Sequence, residues 1–233
     1  MRTITVAAAK GGVGKSTTAA AVGYELARLG HRVMLHDMDP QAGLTLALGI
    51  DPATDPHTAE PLAVELPGIE PGRLRLRPAG RRLMTARRTD VADLLKAGSD
   101  GTDVLICDCA PAVGSLTLGV IEHSDVVLVP LSPSAPDLQG LADIWALLRE
   151  MSRPAALCAV LVRVQPRHVI TREVRALVAE RYPGVLLATG VPSDARVPEA
   201  PGHGMPVSCY APRCRAALAY SELARELVKF LEP

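Results

Sequence analysis

Aromatic side chains are nearly missing from this chain: they make up 3% of 233 residues, with one Phe and one Trp. Its core must therefore be built from Ala, Val, Leu and Ile, a mixture that suits helices packed on a parallel sheet. Net charge is missing too, since 25 basic residues cancel 25 acidic ones. That balance excludes the uniformly basic surface of a dedicated nucleic-acid binder and leaves room only for a local basic face. No run approaches the ~20 apolar residues that cross a bilayer, and "ELVKFLEP" at the end adds no separate basic amphipathic helix, so no membrane anchor is expected. The five cysteines are an odd number. With no leader ahead of a first strand at Arg2, they point to a reducing cytosol and not to a disulfide framework. The six histidines are scattered without metal-ligand spacing. Lysine occurs only at Lys10, Lys15, Lys96 and Lys229, and two of these four fall within one short glycine-rich stretch.

What is present is alternation. Strand-like apolar runs alternate with helix-like segments along the whole chain, which predicts one α/β domain over residues 1–233: a doubly wound, mostly parallel sheet with helices on both faces. "RTITVAAA" reads as a strand, "KSTTAAAVGYELARLG" as a helix closed by Gly30, and "HRVMLHDMD" as the second strand. Residues 50–72, rich in proline and acid, read as a surface excursion with one short strand. "RLRLR" follows as a strand whose Arg73, Arg75 and Arg77 share one face, then the chain turns helical. "TDVLICDCAP" and "SDVVLVPLS" read as buried strands with a short helix near 115–123 between them. Then come the helix "PDLQGLADIWALLREM", the strand "AALCAVLVRV", the helix "TREVRALVAERY", the strand "GVLLATGVP" and a proline-studded loop to about residue 212. In the closing helix Leu223, Leu227 and Leu231 form a stripe.

The stretch "AAAKGGVGKSTT", residues 7–18, runs from strand to helix. Gly11, Gly12, Val13, Gly14, Lys15, Ser16 and Thr17 thus put several backbone N–H groups and a helix N-terminus around one volume suited to polyphosphate. Lys15 would reach the β- and γ-phosphates and the Ser16 hydroxyl would ligate Mg²⁺. The ordinary first glycine is Ala9, and Lys10 is an extra cation. "HDMDPQ" and "LICDCAP" bring Asp37, Asp39 and Asp108 to the same C-terminal sheet edge, where open α/β sheets bind ligands. Ser16, Asp39 and Asp108 form the candidate magnesium set, Asp108 acting through water. Asp39 is also placed to orient an attacking water, and Asp37 fits either this site or a turn cap.

These motifs, in order and spacing with "DVVLVPLSPSAPDLQGL" and "VPSDARVPEAPGHGMPV…YAPRCRAALAYSELA", resemble the ParA/MinD family of ATPases with a deviant Walker A motif, and the later ones resemble its partition branch. The resemblance covers nearly the whole chain apart from residues 50–90. It implies ATP and Mg²⁺ as cofactors, with Lys10 as the signature lysine that reaches the phosphates of a partner subunit in an ATP-bound homodimer. Lys10, Lys15 and Asp39 are then the catalytic set, and Pro192, opening the loop to Pro201, is a nucleotide contact. It further implies nonspecific binding to double-stranded DNA through Arg215, with Arg196 and Arg213 as companions, weak ATP hydrolysis stimulated by a ParB-like partner, and a cytoplasmic, nucleoid-associated protein. Three departures stand out: "DCAP" for the usual "DCPP", Ser193 for a common arginine, and Ala216 for a glycine.

Three rival readings share the scaffold. A MinD-like membrane positioner lacks support in the C-terminal sequence. A ligase resembling dethiobiotin synthetase should lack Lys10 and "DMDPQ", and a scaffold moving a protein cargo has no discriminator in the sequence. Cys107 and Cys109 read as core packing, Trp145 as a core or dimer-face residue, and the arginines at positions 73, 75, 77, 81, 82, 87 and 88 as either a further DNA-contact candidate or, as charge runs more often are, a solvated face.

Overall fold

The computed structural model describes residues 1–51, 61–111, 113–165 and 167–232. Eight strands form one sheet: β1 (Arg2–Val6), β2 (Val33–Met38), β3 (Leu62–Ala63), β4 (Leu74–Arg77), β5 (Val104–Cys109), β6 (Val126–Leu131), β7 (Ala156–Val164) and β8 (Leu186–Pro192). Their spatial order is β3-β4-β2-β5-β1-β6-β7-β8. All neighbours pair in parallel except β3, which runs antiparallel to β4. The central strands are mostly apolar because both faces are covered, and β2, β5 and β6 are buried at every residue, including His36, Asp37 and Asp108.

The helices are α1 (Lys15–Arg28), α2 (Gly43–Ala47), α3 (Val91–Lys96), α4 (Ser115–Glu122), α5 (Ala135–Arg149), α6 (Val169–Arg181), α7 (Arg196–Glu199), α8 (Val207–Tyr210) and α9 (Arg215–Val228). Strand alternation divides the core in two. Ile4, Val6, Leu35, Ile106, Leu128 and Val160 pack with α1 and α9, including Leu223 and Leu227 of the predicted stripe. Val127, Val129 and Leu161 pack with α5 and α6 on the other face, and Met34, Leu105 and Cys107 with α3 and α4. Each such leucine, fully buried, contributes about 2 kcal/mol. Cys107 and Cys109 are core residues whose thiols burial pushes well up. Trp145 is half-buried edge-on to Tyr182, centroids 5.6 Å apart, against the core of α5 and α6.

Several expectations change in detail. Residues 52–60 of the proline-rich excursion, and the side chains of Arg81 and Arg82, lie outside the described residues. The loop expected up to residue 212 contains α7, a 3₁₀ turn (Ala200–His203) and α8, and α2 was not expected at all. Helices of four or five residues are too short to carry an apolar period. The arginine face of β4 is not a simple solvated one. Arg77 is buried and donates to the carbonyls of Leu94 and Ala97, Arg75 donates to Asp100 O and Thr102 Oγ1, and Arg73 binds Gly30 O and Glu70. These arginines hold α3 and adjoining turns on the edge of the sheet.

Candidate functional site

The chain leaves β1 between β5 and β6, the point where successive connections turn to opposite sides of the sheet, and such a point opens a crevice at the strand C-termini. The loop of residues 9–14 fills it. Gly12 and Gly14 have φ of 76° and 108°, a left-handed backbone that side chains resist. Gly14 caps α1, so the first N–H groups of the helix open onto the loop. Lys15 is buried, and its Nζ donates to the Lys10 carbonyl at 3.3 Å, curling the ammonium over the loop. Lys10 itself is exposed on the loop's shoulder.

Ala9 has a close neighbour that accommodates its methyl group. A Cβ on Gly140 of α5 would stand 2.7 Å from the Ala9 Cβ, so the helix gives up its side chain where the loop keeps one. Gly43, first residue of α2, makes a similar approach: a Cβ there would stand 3.0 Å from Ser16 Oγ. Both sides of the loop are therefore braced by glycine contacts from other segments.

The three aspartates separate by environment. Strand register pairs Asp37 with Asp108 across β2 and β5, and Asp108 with Val6 across β5 and β1. Asp37 is a structural cap: its Oδ2 accepts from Thr45 N at 2.8 Å and Thr45 Oγ1 at 2.7 Å, and its Oδ1 from Asp39 N at 3.1 Å. Burial pushes its pKa up, and these hydrogen bonds draw it back. Asp39, just beyond β2, is half-buried and accepts from Gln41 N at 2.9 Å. Asp108 is wholly buried, and neither carboxylate oxygen has a hydrogen-bond partner of good geometry, the Ser16 hydroxyl standing close without completing one. Burial, reinforced by the charge of Asp37, pushes its pKa up to about 8, against opposing pulls from Ser16 and Lys15.

An orphaned buried carboxylate beside a hydroxyl and a phosphate loop fits a hard cation. Among the described residues no three His, Cys, Asp or Glu side chains form a metal cage. That donor set fits magnesium, which keeps several waters and takes one or two protein ligands plus substrate phosphates. Ser16 and Asp108 are placed for it, with Asp39 at the mouth.

Beside the loop lies a cleft of about 520 Å³ lined by Val13, Gly14, Thr17, Pro192, Pro198 and Tyr220, among others. Tyr220 OH meets Thr18 Oγ1 at 3.3 Å and ties α9 to α1 at its floor. Pro192 thus lines the same cleft as Val13 and Gly14 of the phosphate loop. Arg163, which sequence reasoning missed, also lines the cleft and donates to Gly12 O at 2.5 Å. No motif announces it, because its only signal is tertiary. A groove of about 500 Å³ between the ends of α4 and α5 has similar size, but it lies toward the opposite edge of the sheet and has no phosphate-binding backbone.

The three arginines expected to meet DNA fall around the first turn of α9. Arg213 and Arg215 are exposed. Arg196 is exposed as well but pairs with Asp194 at 3.2 Å, and Arg215 lies within electrostatic reach of the same carboxylate. No helix among the described residues is long and apolar enough to cross a membrane.

Residues 4–207 match the CobQ/CobB/MinD/ParA nucleotide binding domain family. The chain is 31% identical to the chromosome partitioning protein ParA of Caulobacter vibrioides, over 98% of this chain and 94% of that protein. Among solved structures it is similar to cobyrinic acid a,c-diamide synthase of Mycobacterium smegmatis with a bound ATP analogue and magnesium (TM-score 0.77, 29% identity, 98% and 95% of the chains covered). Its fold is also similar to that of the septum site-determining protein MinD of Pyrococcus horikoshii with Mg-ADP (TM-score 0.79, 21% identity, 98% and 96% covered). With its phosphate loop, orphaned Asp108 and flanking cleft now in place, the chain belongs to the CobQ/CobB/MinD/ParA family of nucleotide-binding domains.

Proposed function

We propose that this protein is a Mg-ATP-dependent switch of the ParA type: it dimerises on ATP, binds double-stranded DNA without sequence preference to segregate or position DNA cargo, and is reset by slow hydrolysis that a ParB-like partner stimulates. The observation that carries this reading is the pair of lysines on one loop. Lys15 is buried over the phosphate site, whereas Lys10 is exposed beside it, so Lys10 is available to the nucleotide of a second copy. A cation supplied across an interface stabilises a triphosphate only when the partner is docked, so ATP and dimer favour each other by linkage.

Within each site the loop's N–H groups and Lys15 hold the phosphates, Ser16 and Asp108 would hold magnesium, and Asp39 orients water for in-line attack. Bound magnesium would supply charge neutralisation at the terminal phosphates. Arg213 and Arg215 are free to meet DNA phosphates in the manner that gives affinity without base reading. The pairing of Arg196 with Asp194 reduces the net charge of that face. This favours, as the second reading, an otherwise identical switch that positions a protein cargo. The reading places the protein in the cytoplasm, on the nucleoid and off the membrane.

Light scattering during gel filtration tests the proposal. With Mg-ADP the protein should elute near 24.6 kDa, and with a non-hydrolysable ATP analogue near twice that mass. A single chain at saturating analogue overturns the switch. DNA retention that requires ATP, falls steeply with salt and weakens in Arg215→Ala supports DNA as the cargo surface. Retention without nucleotide argues against the cycle.

A further inference from the structure

Arg163 stands 151 positions from Gly12 in sequence, yet its Nη2 donates to the Gly12 carbonyl. Two independent features set the residue apart. Its backbone is left-handed at φ 55°, a conformation that side chains with a Cβ disfavour. It also falls within a register shift between Leu161 and Val164, the second of two irregularities in the pairing of β7 with β8. Val160, Leu161, Val162 and Val164 are all buried, whereas Arg163 is exposed and, with Val162, lines the cleft beside Gly14, Thr17 and Pro192. The irregular pairing and the strained backbone serve the same result, a guanidinium delivered from β7, two strands from β1, to the phosphate loop.

The loop needs such a contact for a physical reason. Gly12 has no Cβ, so the peptide that follows it can rotate at little steric cost. One orientation presents N–H groups to the phosphates, and the other turns a carbonyl oxygen toward them, which repels an anion. A guanidinium on that oxygen fixes the first orientation through a charge-assisted hydrogen bond. We propose that Arg163 is a positioning residue of the nucleotide site: by pinning the Gly12 carbonyl it keeps the loop's amides turned toward the phosphates and couples the cleft under Pro192 to the loop. The inference rests on the nucleotide site described above and is independent of dimerisation and cargo.

The test uses the full chain, a fluorescent ADP analogue titrated at fixed ionic strength, and the melting temperature without nucleotide. Arg163→Gly removes the guanidinium while accepting the left-handed backbone, so strain relief offsets the lost hydrogen bond and the nucleotide-free protein should melt within about 2 °C of wild type. Its Kd should rise about tenfold, the loss expected for one hydrogen bond to a charged group. Arg163→Lys, which can still donate to a carbonyl, should recover part of that loss. A Kd within twofold of wild type in Arg163→Gly overturns the proposal, and so does a melting temperature that falls in step with affinity. Lys15→Ala in the same titration keeps the two readings distinct: if that variant still binds the analogue, the nucleotide site itself is misassigned.

Discussion

Asp108→Asn separates the price of holding a carboxylate ready for a cation from the use made of it. In the magnesium-free protein the Asp108 carboxyl keeps its proton up to pH about 8, while in the unfolded chain it loses that proton near 3.8. Between those values the unfolded state sheds a proton that the folded state retains, so stability falls as pH rises and levels off above the folded pKa. At pH 7 the interval is about three units, each worth about 1.4 kcal/mol, or roughly 4 kcal/mol against the folded state. Asparagine has the same shape and no proton to keep, so it removes this penalty. In a domain of this size each kcal/mol shifts the melting temperature by about 2–4 °C. In EDTA at pH 7–8, scanning calorimetry should therefore find Asp108→Asn melting about 10 °C above wild type, with the gap closing toward pH 4. Adding Mg-ADP should reverse the order, because only the carboxylate gains from the cation. Equal melting temperatures across pH 5–9 in EDTA would refute the assignment of Asp108 as an unpaired, charge-averse group awaiting metal.

Two further substitutions probe how the site is built. Gly140→Ala places a Cβ 2.7 Å from the Ala9 Cβ and should destabilise the protein by about 1–3 kcal/mol. Adding Ala9→Gly in the same chain should recover most of that loss, and strictly additive effects in urea unfolding would contradict the contact. Asp37→Ala strands the Thr45 amide, the Thr45 hydroxyl and the Asp39 amide, and should cost about 3 kcal/mol. Asp39→Ala should leave the melting temperature within error, hold ATP and remain dimeric, but lose phosphate release. Normal hydrolysis in Asp39→Ala would remove its assigned role.

The main elements were legible in sequence because each is long enough to show its period: strands buried on both faces, helices of thirteen to fifteen residues such as α1, α5, α6 and α9, and a loop whose chemistry is local. Asp108 could be placed for the same reason, since a carboxylate ending an apolar strand has nowhere to go but the sheet edge. Asp37 stays open in the sequence between the site and a turn cap, because what fixes it as a cap is Thr45, eight residues beyond it on a five-residue helix too short to predict. The basic run around β4 misled for the opposite reason. Composition registers charge, but not that Arg77 spends its donors on two carbonyls of the α3 terminus.

What escaped sequence reading at the site is tertiary bracing, and it follows one logic. The loop has little internal support, since its glycines permit the turns and do not enforce them. Its geometry is imposed by three distant segments: Gly140 of α5 against Ala9, Gly43 of α2 against Ser16, and Arg163 of β7 on Gly12. Gly140 and Gly43 lie in or next to quoted motifs, but the contact each makes is tertiary, and the third is a single arginine on a distorted strand that no motif marks. Each contact arrives from a different element, α2, α5 or β7, so a substitution at any of the three should be felt at the phosphate site.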